Sequence, residues 1–210
     1  MTPKLTPKFR IAVLASGSGS NLQAILEAID SGDLEDGRVA LVVSDKKNAF
    51  ALERARQRTI PTIFFNPRNY LSREDMDRDI VETLNKNQID LVVLAGYMRL
   101  LTPLFINAFK DRILNIHPAL LPSFPGEQGV VDALKYGVKV SGCTIHFVDE
   151  GVDTGPIIMQ EAVPVYTNDT EETLHQRIQV LEHKLYPRVI NLFLKGKIKI
   201  QGRRCIVDEK

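Results

Sequence analysis

The chain has 210 residues, 44% of them apolar, with 27 Lys and Arg against 26 Asp and Glu. That length suits one large α/β domain with a substantial core. The even charge balance argues against nucleic acid and for a small-molecule partner. No apolar run approaches the roughly 18 residues of a membrane span. The opening MTPKLTPKFR lacks the apolar stretch of a secretory signal. A cytoplasmic protein with no membrane attachment is therefore expected. Cys143 and Cys205 form no metal spacing or disulfide framework, and Cys143, in an apolar stretch, is expected in the core.

In chain order, Arg10–Ala15 reads as a short buried strand ending in SGSGSN, a strand-to-loop signal. Leu22, Ile25, Leu26 and Ile29 then repeat at helical spacing, with Gly32 closing the helix. Val39–Val43 predicts a second strand, Ala49–Arg58 a helix and Thr62–Phe65 a third strand. Met76, Ile80, Val81 and Leu84 mark a longer helix after Ser72, an N-cap candidate with Asp75 three residues on. Asp90–Ala95 is a fully apolar fourth strand, and such runs suit a parallel sheet covered on both faces. Arg112–Ile116 is the fifth, carrying Asn115 and His117 to its carboxyl end. Strands and helices alternating in this way imply a doubly wound parallel sheet.

Beyond that point the pattern changes. Ser141–Val148 and Pro156–Val165 predict two longer strands joined by DEGVDTG, an antiparallel pairing. A long helix follows from Thr170, with Leu174, Ile178, Leu181, Leu185 and Val189 on one stripe. A small hairpin occupies the residues from Gly196 on. Neither a linker nor a repeat interrupts the chain, so residues 1–210 read as a single domain.

Three segments could carry chemistry. The loop SGSGSN lets backbone N–H groups approach an anion at a helix N-terminus. Its Gly17 and Gly19 begin a dinucleotide fingerprint, but Leu22 fills the third glycine position, which leaves a compact phosphate cradle. The second segment is NIHPALLPSFPG, where Asn115 and His117 share one face of an extended strand. An amide that donates and an imidazole that donates, accepts or carries charge suit a transition state that builds negative charge on oxygen. The third is the acidic turn Asp149–Pro156. Spacing does not choose among Asp149, Glu150 and Asp153, although a carboxylate near His117 would raise its pKa. His146, mid-strand in CTIHFV, fits a satisfied core histidine at least as well as a site residue. His175 and His183 read as surface or groove residues of the last helix.

Together, RIAVLASGSGSNLQA, LVVLAGYMRLL, LNIHPALLPSFPG and GCTIHFVDEGVDTGPIIMQ closely resemble the glycinamide ribonucleotide formyltransferases of purine synthesis, over nearly the whole chain. The resemblance implies a Rossmann-like formyltransferase fold. Its N-terminal half would bind the ribonucleotide phosphate, and its C-terminal half would bind folate and carry catalysis. It implies Asn115, His117 and Asp153 as the catalytic trio, with 10-formyltetrahydrofolate as co-substrate and no metal. Gly19, Ser20 and Asn21 match the phosphate-binding positions, and Gln179 and Glu182 match residues that reach the ribose and amide. Met98, Arg99, Leu100, Leu101, Ile106, Ile113, Asp149, Glu150, Gly151 and Val152 match the folate cleft. One stretch departs from the pattern: Gln128, in EQGVVDAL, stands where relatives commonly carry a histidine.

Several other readings compete. A methionyl-tRNA formyltransferase would need an RNA-binding extension and a more basic charge. A formyltetrahydrofolate deformylase usually has an N-terminal regulatory domain, whereas the first strand here begins at Arg10. A non-catalytic nucleotide-binding module would place Asp45 against a ribose. A monomer or weak homodimer is expected, since no patch commits to a partner.

Overall fold

The computed structural model describes residues 8–208. Most of the N-terminal stretch read as lacking a secretory signal lies outside them. One nine-stranded sheet runs through the molecule in the order β3-β2-β1-β4-β5-β6-β7-β9-β8. Its parallel part comprises β1 (Phe9–Leu14), β2 (Gly37–Ser44), β3 (Thr62–Phe64), β4 (Leu91–Leu94) and β5 (Ile113–His117). From β5 onward the sheet turns antiparallel through β6 (Val140–Phe147) and β7 (Ile157–Pro164). The terminal hairpin, β8 (Ile198–Gln201) and β9 (Arg204–Val207), joins this sheet through β9, parallel to β7. The expected mostly parallel sheet with an antiparallel C-terminal part is therefore what forms.

The apolar runs explain the layering. In β1, Ile11 and Val13 face one buried cluster while Ala12 and Leu14 face the other, so a central strand needs apolar side chains at every position. The first cluster takes in α1 (Ser20–Ser31), α2 (Phe50–Gln57) and α6 (Glu171–Leu194); the second takes in α3 (Arg73–Lys86) and α4 (Pro103–Ala108). Ser72 caps α3 by accepting the Asp75 N–H, as its position predicts. Thr170 and Thr173 form a reciprocal capping box at the start of α6. Cys143 is fully buried, and burial pushes its thiol up to about 12.

Two helices lie outside the predicted elements. Helix α4 spans six residues, too few to show a period. Helix α5 (Gly129–Tyr136) rises directly from the proline-rich loop with Gln128 at its N-cap.

Candidate active site

Three cavities adjoin along the carboxyl ends of β1, β4 and β5. At one end the glycine loop, Gly17 to Asn21, faces Gln179 and Glu182 of α6, with Gln128 on the rim. The middle cavity lies between Met98 and the proline loop, over Asn115, His117 and Asp153. The far cavity is enclosed by Arg99, Leu100, Leu101, His146 and the acidic turn from Asp149 to Asp153. Gly96, Met98 and Pro118 line both the first and the second, while Asn115, Val152 and Asp153 line both the second and the third. One continuous cleft results, with ionisable groups at its centre.

At the glycine end, Gly19 is the N-cap of α1 with φ of 71°, and no side chain caps the helix. A Cβ on Gly19 would lie 2.7 Å from Ala51 Cα, so α2 packs directly against the loop and only glycine fits. Asn21 donates to Glu182 at 2.9 Å. Glu182 is 4% exposed, and burial raises its pKa, with the Asn21 bond opposing. Asp45 is spent inside the protein: it accepts from Ser16 Oγ at 2.6 Å, and that hydroxyl accepts the Met98 N–H. Asp45 is 4% exposed and lines none of the three cavities, so it does not face the cleft where a ribose contact would form, and it instead ties the glycine loop to the Met98 segment.

At the centre, β5 and β6 bring the groups together. His117 Nε2 donates to the Phe124 carbonyl at 2.7 Å, and its Nδ1 lies 3.3 Å from Asp153 Oδ2. Asp153 Oδ2 also accepts the Gly126 N–H at 2.7 Å, which joins the acidic turn to the proline loop. That loop is held from below by Thr144, which donates to the Ala119 carbonyl and accepts the Leu121 N–H. Phe124 and Asp153 both take positive φ, 54° and 52°, a backbone cost of the kind that clusters at functional sites. Gly129 has no Cβ to crowd His117 Nε2, which would lie only 3.1 Å away.

The three carboxylates of the acidic turn now separate. Asp149 builds the turn, accepting from Gly151 N–H and Thr154 Oγ1. Glu150 is exposed. Asp153 alone turns inward to Asn115, His117 and His146.

Electrostatics corrects one expectation. The carboxylate beside His117 does not raise its pKa above the ordinary value. Burial lowers it, and Asp153 and the Phe124 carbonyl only partly compensate. Both ring nitrogens nevertheless face acceptors, so only the imidazolium satisfies both. For Asp153, burial pushes the carboxyl up, but the donors and charge around it, the Gly126 N–H and His117 among them, outweigh it and hold the pKa below the usual range.

His146 belongs to this centre rather than to the core. It sits directly across from Asn115 in the β5–β6 register, with its Nε2 3.1 Å from Asn115 Nδ2 and 3.6 Å from Asp153 Oδ1. Only that cross-strand register could have singled it out. Ile106 and Ile113, expected in the folate cleft, are instead buried in the second apolar cluster, 8% and 1% exposed. Alternation along β5 turns Ile113 to the same face as Asn115, but one step deeper into the core. His175 lines the glycine-loop cavity, and His183 lines a groove between α1 and α6.

An open, doubly wound sheet with a glycine loop and an Asn/His/Asp group at the carboxyl ends of its strands defines an α/β protein with its cleft where such sheets bind small molecules. Residues 9–190 match the formyl transferase family, and the chain belongs to it. It is similar to the phosphoribosylglycinamide formyltransferase of Bacillus subtilis, 46% identical over 88% of this chain and 94% of that one. It is 44% identical to the trifunctional purine biosynthetic protein adenosine-3 of Chironomus tentans over 94% of its own length, but spans only 14% of that protein. The crystal structure of glycinamide ribonucleotide transformylase 1 from Symbiobacterium toebii superposes with a TM-score of 0.93 at 51% identity, covering 95% of this chain and 93% of that one. Among the described residues, no helix is long and apolar enough to cross a membrane.

Proposed function

We propose that this chain transfers the formyl group of 10-formyltetrahydrofolate to the amine of glycinamide ribonucleotide, a step of purine synthesis. The observation that carries the reading is the continuous cleft, with the glycine loop and the uncapped start of α1 at one end and Asn115, His117 and Asp153 at its middle. The names of the relatives point the same way.

The ribonucleotide phosphate sits on the backbone N–H groups of Gly19, Ser20 and Asn21, and Gln179 and Glu182 reach its sugar and amide. Formyl-folate lies against Met98, Arg99, Leu100 and Leu101 and the turn from Asp149 to Val152. The neutral amine attacks the formyl carbon, a C–N bond forms, and the carbonyl electron pair moves onto oxygen. Asn115 offers that oxyanion an N–H, and protonated His117 offers a charged donor. Removing one such donor typically costs about 10²–10³ in rate. Asp153 favours the charged form of His117 against the burial that opposes it, and takes up the proton lost by the attacking nitrogen. Collapse of the intermediate breaks the bond to the folate nitrogen, which leaves with the proton that the amine had given to Asp153. Positioned proton transfer of this kind contributes about 10²–10⁴-fold.

The test is formyl transfer with purified protein, 10-formyltetrahydrofolate, and glycinamide ribonucleotide present or absent. The expected result is folate deformylation that requires the ribonucleotide, with formylated product appearing in step. Deformylation without it would make the chain a hydrolase. No turnover would reopen a purely binding role.

A further inference from the structure

The amide of Asn115 can present either its nitrogen or its oxygen to the reaction centre, and only the nitrogen can stabilise an oxyanion. His146 decides between them. Its Nδ1 lies 2.7 Å from the Phe147 carbonyl, a group that only accepts, so Nδ1 carries a proton. In the neutral ring Nε2 is then a bare acceptor, and its nearest polar partner is the Asn115 amide at 3.1 Å. The amide's other neighbour, Asp153 Oδ1 at 3.3 Å, is also an acceptor. The 3.6 Å from His146 Nε2 to Asp153 Oδ1 is too long for a donated bond between them, so with the ring neutral these two acceptors are both satisfied when the NH₂ group turns toward them. One N–H is committed to His146. The second rests on a long bond to Asp153, and that is the N–H a substrate oxygen can take over.

We propose that His146 is a positioning residue that acts through Asn115: fixed as its Nδ1–H tautomer by Phe147, it anchors one amide N–H and so aims the other at the formyl oxygen. Without that acceptor only the long bond to Asp153 Oδ1 holds the amide, and when the amide turns its own oxygen meets the developing negative charge. His146 is 2% exposed, which suits orientation rather than direct contact with substrate. The inference rests on the proposed role of Asn115 as a donor to the formyl oxygen.

A double-mutant cycle tests it. His146→Leu is expected to lower kcat by about 10–100-fold, by analogy with losing the partner that orients a metal-bound histidine, with little change in KM for either substrate. His146→Gln, whose amide oxygen can accept the same N–H, is expected to recover most of the loss. In the Asn115→Ala background, His146→Leu should cost nothing further. Losses that multiply would overturn the proposal and give His146 a role of its own. Should His146→Leu fail to fold, 15N NMR of the wild-type ring decides: a protonated Nδ1 and bare Nε2 support the proposal, and a protonated Nε2 in the resting protein overturns it. Wild-type protein that transfers no formyl group would defeat the functional reading instead, and the NMR result would stand apart from it.

Discussion

The glycine-loop end of the cleft and its centre are built from different materials. The glycine loop itself, Gly17 to Asn21, lines the cavity with small residues, backed by α2 through the close contact of Gly19 with Ala51. At the centre stand two imidazoles, an amide and a carboxylate, all carried by β5, β6 and the turn after β6. Backbone donors have no protonation state and suit binding; ionisable side chains suit proton movement. Damage at the first end should therefore appear in affinity, and damage at the centre in turnover.

The largest effect is expected at the centre. Asp153→Asn and His117→Asn should each lower kcat by at least about 10²–10³-fold, with KM for the ribonucleotide nearly unchanged and the circular dichroism spectrum intact. Turnover preserved in either variant would remove that residue from the chemistry. Gly19→Val comes next. A β-branched residue at positive φ is strained, and the clash with Ala51 must move the loop. A single hydrogen bond to a charged group is worth about 1.5–3 kcal/mol, so ribonucleotide affinity should fall tenfold or more while folate affinity holds. Equal losses for the two ligands would erase the distinction between the glycine-loop end and the centre.

Glu182→Gln should split stability from binding. The pKa of the buried Glu182 is raised, so the folded state binds its proton more tightly than the unfolded chain. Its contribution is intact below the unfolded value near pH 4.3 and is lost as pH rises through the folded value. At neutral pH the variant should therefore melt higher, by about 2–4 °C for each kcal/mol recovered, while binding ribonucleotide less well. A lower melting temperature would show that the charge is better compensated than burial suggests. The smallest effect belongs to Thr170→Ala, far from the chemistry. Losing the α6 cap should cost about 1 kcal/mol in denaturant unfolding and leave kcat and KM alone.

Much of the fold was legible because its signals are local. Apolar runs such as DLVVLA mark strands buried on both faces, and Ser72 and Thr170 mark helix starts. Helix α4 escaped because six residues cannot display a period, and α5 because it begins amid Pro, Gly and Gln. At the site, the Asn115–His117 pair was visible from its spacing. The choice of Asp153 over Asp149 was not, because it depends on a positive φ that turns one carboxylate inward while its neighbour builds the turn. His146 escaped because its meaning lies in a partner across the sheet, 31 residues away. Ile106 and Ile113 were assigned to the cleft by likeness alone, and packing claims them for the core.

The bare start of α1 has a practical consequence. A helix N-terminus with no side-chain cap leaves N–H groups wanting acceptors, and a bound phosphate would act as the missing cap. The ligand then becomes part of the folding equilibrium: at a concentration of 100 times Kd it adds about 2.7 kcal/mol to stability. Thermal melting in the presence of candidate phosphates could therefore rank ligands for this cleft with no formyl donor in the tube and no catalysis to follow.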